Sequence, residues 1–171
     1  VAVLDHDGFV DAAGEVTIAE VDPGELPAHI PALGDLYAAC GTDFELSLDV
    51  KDPDALDAVL RAARAAQAAE HLWLCHHRWR LVASWRSIAP EVRLVDSTYV
   101  GFMTGGPVVR APRLADAGID GVNLHHSEWT AELVSTFRSA GLSTLAWDAQ
   151  HLHDLQRVRE LGVDGAYSDH V

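Results

Sequence analysis

The sequence predicts an α/β chain of the (β/α) barrel type, read as a single domain over residues 1–171. Two observations predict it. Short apolar runs alternate with amphipathic helical stretches, the rhythm of parallel strands joined by helical crossovers. The run Phe44 to Lys51 also alternates with period two, with Leu46, Leu48 and Val50 on one face and Glu45, Ser47, Asp49 and Lys51 on the other. A strand with an apolar outer face and a charged inner face suits a barrel ringed by helices, where the last inward residues reach the mouth at the C-terminal end. The competing architecture is an open doubly wound sheet. It normally carries strands apolar on both faces, and no glycine-rich phosphate loop joins a strand to a helix here.

The elements follow in order. Val1 to Leu4 reads as a strand already under way, ending in Asp5-His6-Asp7-Gly8, which by itself is also a turn signal. Residues 8–34, with Gly8, Gly14, Pro23, Gly24, Pro27, Pro31 and Gly34, read as loop with about one helical turn. Leu33, Leu36 and Tyr37 open a short helix that stops near Gly41. After the central strand, Asp52 and Pro53 start a helix whose apolar stripe is Leu56, Val59, Leu60 and Ala63. Leu72 to Cys75 is a strand, and the helix after it carries Leu81, Val82, Trp85 and Ile88 on one face and closes at Pro90. Val92 to Val95 is a strand, 99–107 a glycine-bearing loop, and 109–117 a helix stopped by Gly118. Asp120 to Leu124 runs into His125-His126, and Ser127 caps a helix containing Ala131, Val134 and Phe137 that ends at Gly141. Leu142 to Trp147, a helix lined by Leu152, Leu155, Val158 and Leu161, and Val163 to Tyr167 complete the chain. The strands fall short of eight, and a chain that opens inside a strand implies sequence upstream. The expectation is therefore a TIM-type barrel incomplete at its N-terminus, its first one or two βα units missing.

Composition narrows the function. With 49% hydrophobic and 22% charged residues the chain can bury one ordinary core, and no run approaches the ~20 apolar residues of a membrane span. A formal charge of −14 repels nucleic acid and anionic membrane, so a small anionic ligand needs a local cation or a metal ion. Cys40 and Cys75 form no disulfide framework or paired metal spacing and read as two small buried hydrophobes in a reducing, cytoplasmic setting.

Several side chains are candidates for chemistry. Asp49 beside Lys51 at a strand end can hold a metal and a phosphate together, or be a plain salt bridge. His76-His77 and His125-His126 follow strands whose ends face the mouth, so His76 and His125 are candidate substrate contacts. Neighbours on a strand point to opposite faces, so at most one of each pair enters a common site. No metal-binding spacing accompanies them or His151 and His153, which favours solvated loop histidines. Trp73, Trp79, Trp85 and Trp129 read as packing residues.

The last third is similar to the glycerophosphodiester phosphodiesterase family. Gly141-Leu142-Ser143-Thr144-Leu145-Ala146-Trp147, then Gly162-Val163-Asp164-Gly165-Ala166-Tyr167-Ser168-Asp169, resemble its closing pattern. Leu4-Asp5-His6-Asp7, Ile30-Pro31-Ala32-Leu33 and Asp49-Val50-Lys51 resemble its earlier landmarks in the right order, and residues 74–90 do so more weakly. The resemblance implies metal-dependent hydrolysis of a small-molecule glycerophosphodiester to glycerol phosphate and an alcohol, with Mg²⁺ or Ca²⁺ as the divalent cation. It implies that His6 protonates the leaving group, Lys51 contacts the phosphate, Asp49 stands at a metal-ligand position usually held by Glu, and Trp147 walls the glycerol side. Asp148, Ala149 and Gln150 replace the family's Thr-Val-Asn. The family's His-Arg-Gly and Glu-x-Asp strands have no counterpart before Val1, so an active parent with an inactive 171-residue fragment is the expectation. Two other readings stay open: a non-catalytic, decayed barrel binding a phosphorylated small molecule or a partner protein, and an unrelated barrel enzyme such as a phosphate-sugar isomerase. The oligomeric state and the head group are not legible.

Overall fold

The computed structural model describes residues 1–10 and 16–169, and Gly14 of the predicted loop lies outside them. The chain divides into two compact units, Val1–Leu72 and Trp73–Val171.

In the first unit the expected opening strand is replaced by a single antiparallel bridge, Val3 to Ala32. The Leu4 N–H donates to the Pro31 carbonyl and the Leu33 N–H to the Ala2 carbonyl, both at 2.9 Å. Four residues ending in a polar turn make too short a partner for a parallel ladder, so they lie antiparallel along the entry to a helix instead. That turn is the one its sequence favours: the Asp5 carboxylate accepts from the Asp7 and Gly8 N–H groups, and Gly8 takes φ of 82°, which glycine adopts without strain. Helix α1 (Leu33–Cys40) ends at Gly41, strand β1 is Leu46–Asp49, and α2 is Leu56–Ala65. The Asp52 carboxylate caps the turn before α2 by accepting from the Asp54 N–H. Leu56, Val59, Leu60 and Ala63 of α2 are buried, as their spacing predicts, with Leu33 and Tyr37 of α1. Cys40 is exposed, against the expectation of burial, at the last position of α1, where the helix ends at Gly41.

The second unit carries the repeating βα pattern. Its strands are β2 (Leu72–His76), β3 (Arg93–Ser97), β4 (Gly121–His125), β5 (Ser143–Trp147) and β6 (Gly165–Ala166). Between them run α3 (Trp79–Trp85), α4 (Pro107–Asp116), α5 (Ala131–Ser139) and α6 (Leu152–Glu160). Each of these strands pairs in parallel with the next in sequence, without reversal of order. Sequential order is the barrel's signature, since a doubly wound sheet reverses at its switch point. Most predicted elements stand within two residues of their expected ends; β6 is shorter than Val163–Tyr167, and α4 starts earlier, with Pro107 at its first turn.

Register sorts the side chains. His76, Asp96, Val122 and Thr144 align across four strands and share the face of Leu74 and Leu94, which meets the helices. The other face holds Cys75, Val95 and Leu145, with Trp73 and Tyr167 packed against them. Trp129 is 1% exposed and its indole N–H donates to the Leu145 carbonyl at 2.9 Å, so it is a packing residue as expected.

Candidate functional site

The parallel register brings the C-terminal ends of β2 to β5 to one edge of the second unit, where (β/α) folds place their chemistry. His125 and Trp147 are direct cross-strand partners there, their rings edge-to-face at 4.7 Å. The His125 Nε2 lies 3.2 Å from the Asp148 carboxylate and its Nδ1 lies 2.7 Å from the Ser127 hydroxyl. Those two contacts fix the ring's orientation. The carboxyl of Asp148 is held below its ordinary range, first by His125 and then by the Gln150 amide. Asp148 takes φ of 60°, a conformation Asp tolerates better than most residues. Gln150 donates to Asp148 at 3.2 Å and to Asp169 at 2.7 Å, so Asp148 and Gln150 supply a hydrogen-bond network of their own after Trp147.

Beside Trp147 lies a cavity of about 440 Å³, a size typical of small-molecule sites. Its lining includes His77, Trp79 and Arg80 after β2, Ser97, Thr98 and Tyr99 at the end of β3, and Arg110 of α4. Arg110 is anchored from below. Its Nε donates to the Asp96 carboxylate at 2.8 Å, with Asp96 0% and Arg110 8% exposed. Burial pushes the Asp96 carboxyl above its ordinary pKa, and the Arg110 guanidinium pulls against that. The guanidinium carbons of Arg80 and Arg110 lie 4.7 and 4.9 Å from the Trp79 ring centroid. Also in the lining, Tyr99 packs edge-to-face on both Phe102 and Trp147.

The predicted site residues are distributed as follows. Trp147 lines the cavity and His125 stands against it. His76 is 4% exposed, turned to the helix layer, edge-on to Trp85, with its Nδ1 accepting from the Arg78 N–H. The exposed His77 lines the cavity instead, stacked on His76 at 4.2 Å. The rings of each histidine pair are adjacent because the chain leaves the strand between them, which the opposite-faces argument did not anticipate. Nor is His126 a solvated loop residue: it sits largely enclosed, Nδ1 3.2 Å from Asp154, and burial lowers its pKa against the pull of that carboxylate.

In the first unit, His6 is almost fully exposed, its Nδ1 2.7 Å from the Asp7 carboxylate. Lys51 Nζ lies 3.2 Å from the Asp49 carboxylate, both more than half exposed, so the strand end is a salt bridge. Among the described residues no group of three or more His, Cys, Asp or Glu side chains is placed to hold a metal ion. Asp49, one carboxylate already tied to an ammonium, does not make a divalent-cation cradle.

The residues missed in the sequence were Asp96, Arg110, Arg80 and the cavity-lining role of Trp79. One signal was present: Asp96 interrupts the apolar run after Leu94 and Val95, and a charge there demands a buried partner.

No family model and no curated protein matches the chain. Solved structures share its fold. A candidate glycerophosphodiester phosphodiesterase from Galdieria sulphuraria is 20% identical, with TM-score 0.72 over 97% of this chain and 75% of its own. A candidate glycerophosphoryl diester phosphodiesterase from Agrobacterium tumefaciens reaches TM-score 0.79 at 16% identity, covering 98% of this chain and 76% of its own. A phosphodiesterase from Oleispira antarctica, solved with its product sn-glycerol-3-phosphate, is 18% identical, with TM-score 0.71 over 98% of this chain and 75% of its own. The chain thus has the fold seen in glycerophosphodiester phosphodiesterase structures, the same group that its sequence landmarks resemble. At these identities the likeness is one of fold.

Proposed function

We propose that the chain is a phosphoric diester hydrolase of glycerophosphodiesters, releasing glycerol phosphate and an alcohol. The observation that carries this reading is the fold shared over 98% of the chain with a phosphodiesterase solved with sn-glycerol-3-phosphate. The ordered landmarks from His6 to Asp169 support it from the sequence side.

A phosphodiester is anionic and repels nucleophiles, so cleavage needs charge on the phosphate oxygens and a proton for the leaving alkoxide. His6 is the proton donor in this reading. Asp7 engages its Nδ1, which leaves Nε2 as the nitrogen that hands a proton to the leaving oxygen. Lys51 supplies fixed positive charge to the phosphate, its ammonium steadied by Asp49. Trp147 offers a flat apolar wall to glycerol carbons, and His125 holds that wall edge-on. His76 acts through the stacked His77 rather than by touching substrate. A divalent cation, Mg²⁺ or Ca²⁺, is the usual source of further charge neutralisation for such esters. The described residues do not fit one, and no step is assigned to it. The substrate is water-soluble, and no helix among the described residues is long and apolar enough to cross a membrane.

A second reading is a non-catalytic barrel that binds a phosphorylated small molecule. The salt bridge of Asp49 with Lys51 favours it, because that carboxylate is engaged by a cation of the chain itself. One experiment separates the two. The purified chain is incubated with glycerophosphocholine and Mg²⁺ or Ca²⁺ while glycerol phosphate release is followed, and sn-glycerol-3-phosphate binding is measured by calorimetry. Release establishes the hydrolase, binding without release under every metal condition establishes the binder, and neither signal overturns both.

A further inference from the structure

The cavity beside Trp147 runs against the charge of the molecule. The chain has 26 acidic and 12 basic residues, yet the cavity lining holds two arginines and no carboxylate. Arg110 is rigid, fixed by buried Asp96 and laid on Trp79. Arg80 is exposed, lies on the same indole, and has no carboxylate partner among the described residues. A small concave site with an unneutralised guanidinium, in a field otherwise negative, attracts an oxyanion locally. The hydroxyls of Thr98, Tyr99 and Thr104 also line the cavity and make no hydrogen bond to a described residue. They are donors and acceptors available to a hydroxylated ligand. Tyr99 and Phe102, edge-to-face at 5.8 Å, add flat apolar surface to the lining, which suits the C–H face of a polyol ring. Those rings could also cage a quaternary ammonium, but Trp79 already bears two guanidiniums, and a third cation beside them is repelled.

We propose that this cavity is the head-group pocket, and that it takes a polyol head group carrying its own phosphate, with Arg80 as the specificity-determining contact. The inference rests on the glycerophosphodiester reading for the origin of the ligand. Arg80 meets the phosphate oxygens, Arg110, its charge balanced by Asp96, supplies fixed guanidinium donors beside it, and Tyr99 and Phe102 cover the ring, with Trp147 left to the glycerol side.

The test uses the full chain, with side-chain Nε–H resonances of ¹⁵N-arginine as readout. The probes are myo-inositol 1-phosphate, inorganic phosphate, phosphocholine and myo-inositol. The expected result is that inositol phosphate moves the Arg80 resonance and binds more tightly than phosphocholine. Arg80→Ala, an exposed change that leaves the core alone, should weaken inositol phosphate by at least about tenfold, the scale of one charge-assisted contact. Arg80→Lys should recover part of that loss. Phe102→Ala should weaken inositol phosphate while leaving inorganic phosphate unchanged. Tighter binding of phosphocholine, an unmoved Arg80 resonance, or full affinity in Arg80→Ala each overturns the proposal. Turnover of a glycerophosphoinositol phosphate and of glycerophosphocholine is followed in parallel. Turnover without inositol phosphate binding removes this pocket alone; inositol phosphate binding without turnover upholds the pocket and removes the hydrolase.

Discussion

Asp120 and Asp164 occupy equivalent posts in the second unit. Each immediately precedes a strand, β4 or β6, and reaches across to the strand beside it. The Asp120 carboxylate accepts from the Leu94 N–H at 2.7 Å and pairs with Arg86. The Asp164 carboxylate accepts from the Thr144 N–H at 2.8 Å and its hydroxyl at 2.7 Å, and pairs with Arg138 of α5. Gly118-Ile119-Asp120-Gly121 and Gly162-Val163-Asp164-Gly165 are one device used twice, too short to register as a sequence repeat.

The device sets a pH dependence. Burial alone would raise the Asp164 pKa, but Arg138 and the Thr144 N–H and hydroxyl outweigh it and hold the carboxyl below its ordinary value. A carboxylate depressed in the folded state adds stability that is complete above its unfolded pKa and lost as pH falls through the folded one. Asp164→Asn should lower the urea midpoint at pH 7 and flatten the loss of stability below about pH 4. Wild-type and variant stabilities that stay parallel through the acid range would exclude this linkage.

The buried pair of Asp96 and Arg110 should behave quite differently from a surface ion pair. Removing one partner strands a charge, so Asp96→Ala should cost about 3–5 kcal/mol. Replacing both, as Asp96→Leu with Arg110→Met, should cost much less, because no buried charge is then left over. Urea unfolding of the two singles and the double measures this directly. Costs that simply add would mean the pair is not coupled.

Trp129 docks α5 to β5 through one hydrogen bond and its packing, with Phe137 edge-on at 6.0 Å. Trp129→Phe keeps the aromatic packing and leaves the buried Leu145 carbonyl without its donor. The expected loss is about 1–3 kcal/mol, read from thermal unfolding. An unchanged melting temperature would show that the carbonyl finds another partner.

If the hydrolase reading holds, His6→Ala should reduce turnover of glycerophosphocholine by roughly 10²–10⁴, the usual worth of a positioned acid. His6 is nearly fully exposed, so its removal should leave the unfolding curve in place. Undiminished turnover in that variant removes His6 from the chemistry.

The succession of strands and helices was legible in the sequence because each element repeats at its own period: Leu56, Val59, Leu60 and Ala63 for α2, short apolar runs for β2 to β5. The parallel arrangement followed from helical crossovers. The opening residues were misread because Val1-Ala2-Val3-Leu4 has strand character but its pairing depends on Ala32, a contact no local pattern announces. His125 and Trp147 were legible as rim residues by their place at strand ends. Arg80 and Arg110 were not, since neither matches a motif and their convergence on Trp79 is made by packing α3 and α4 against neighbouring strands.

The residues' own chemistry thus determined the element types, the direction of the strands, and the candidates at their ends, because periodicity and strand-end position are local properties. Only the tertiary structure decided that His76 faces the helices while His77 faces the cavity, that Asp49 is spent on Lys51, and that two arginines share one indole. Those outcomes are set by register and by through-space electrostatics between residues far apart in the chain, and neither leaves a pattern in any single stretch of sequence.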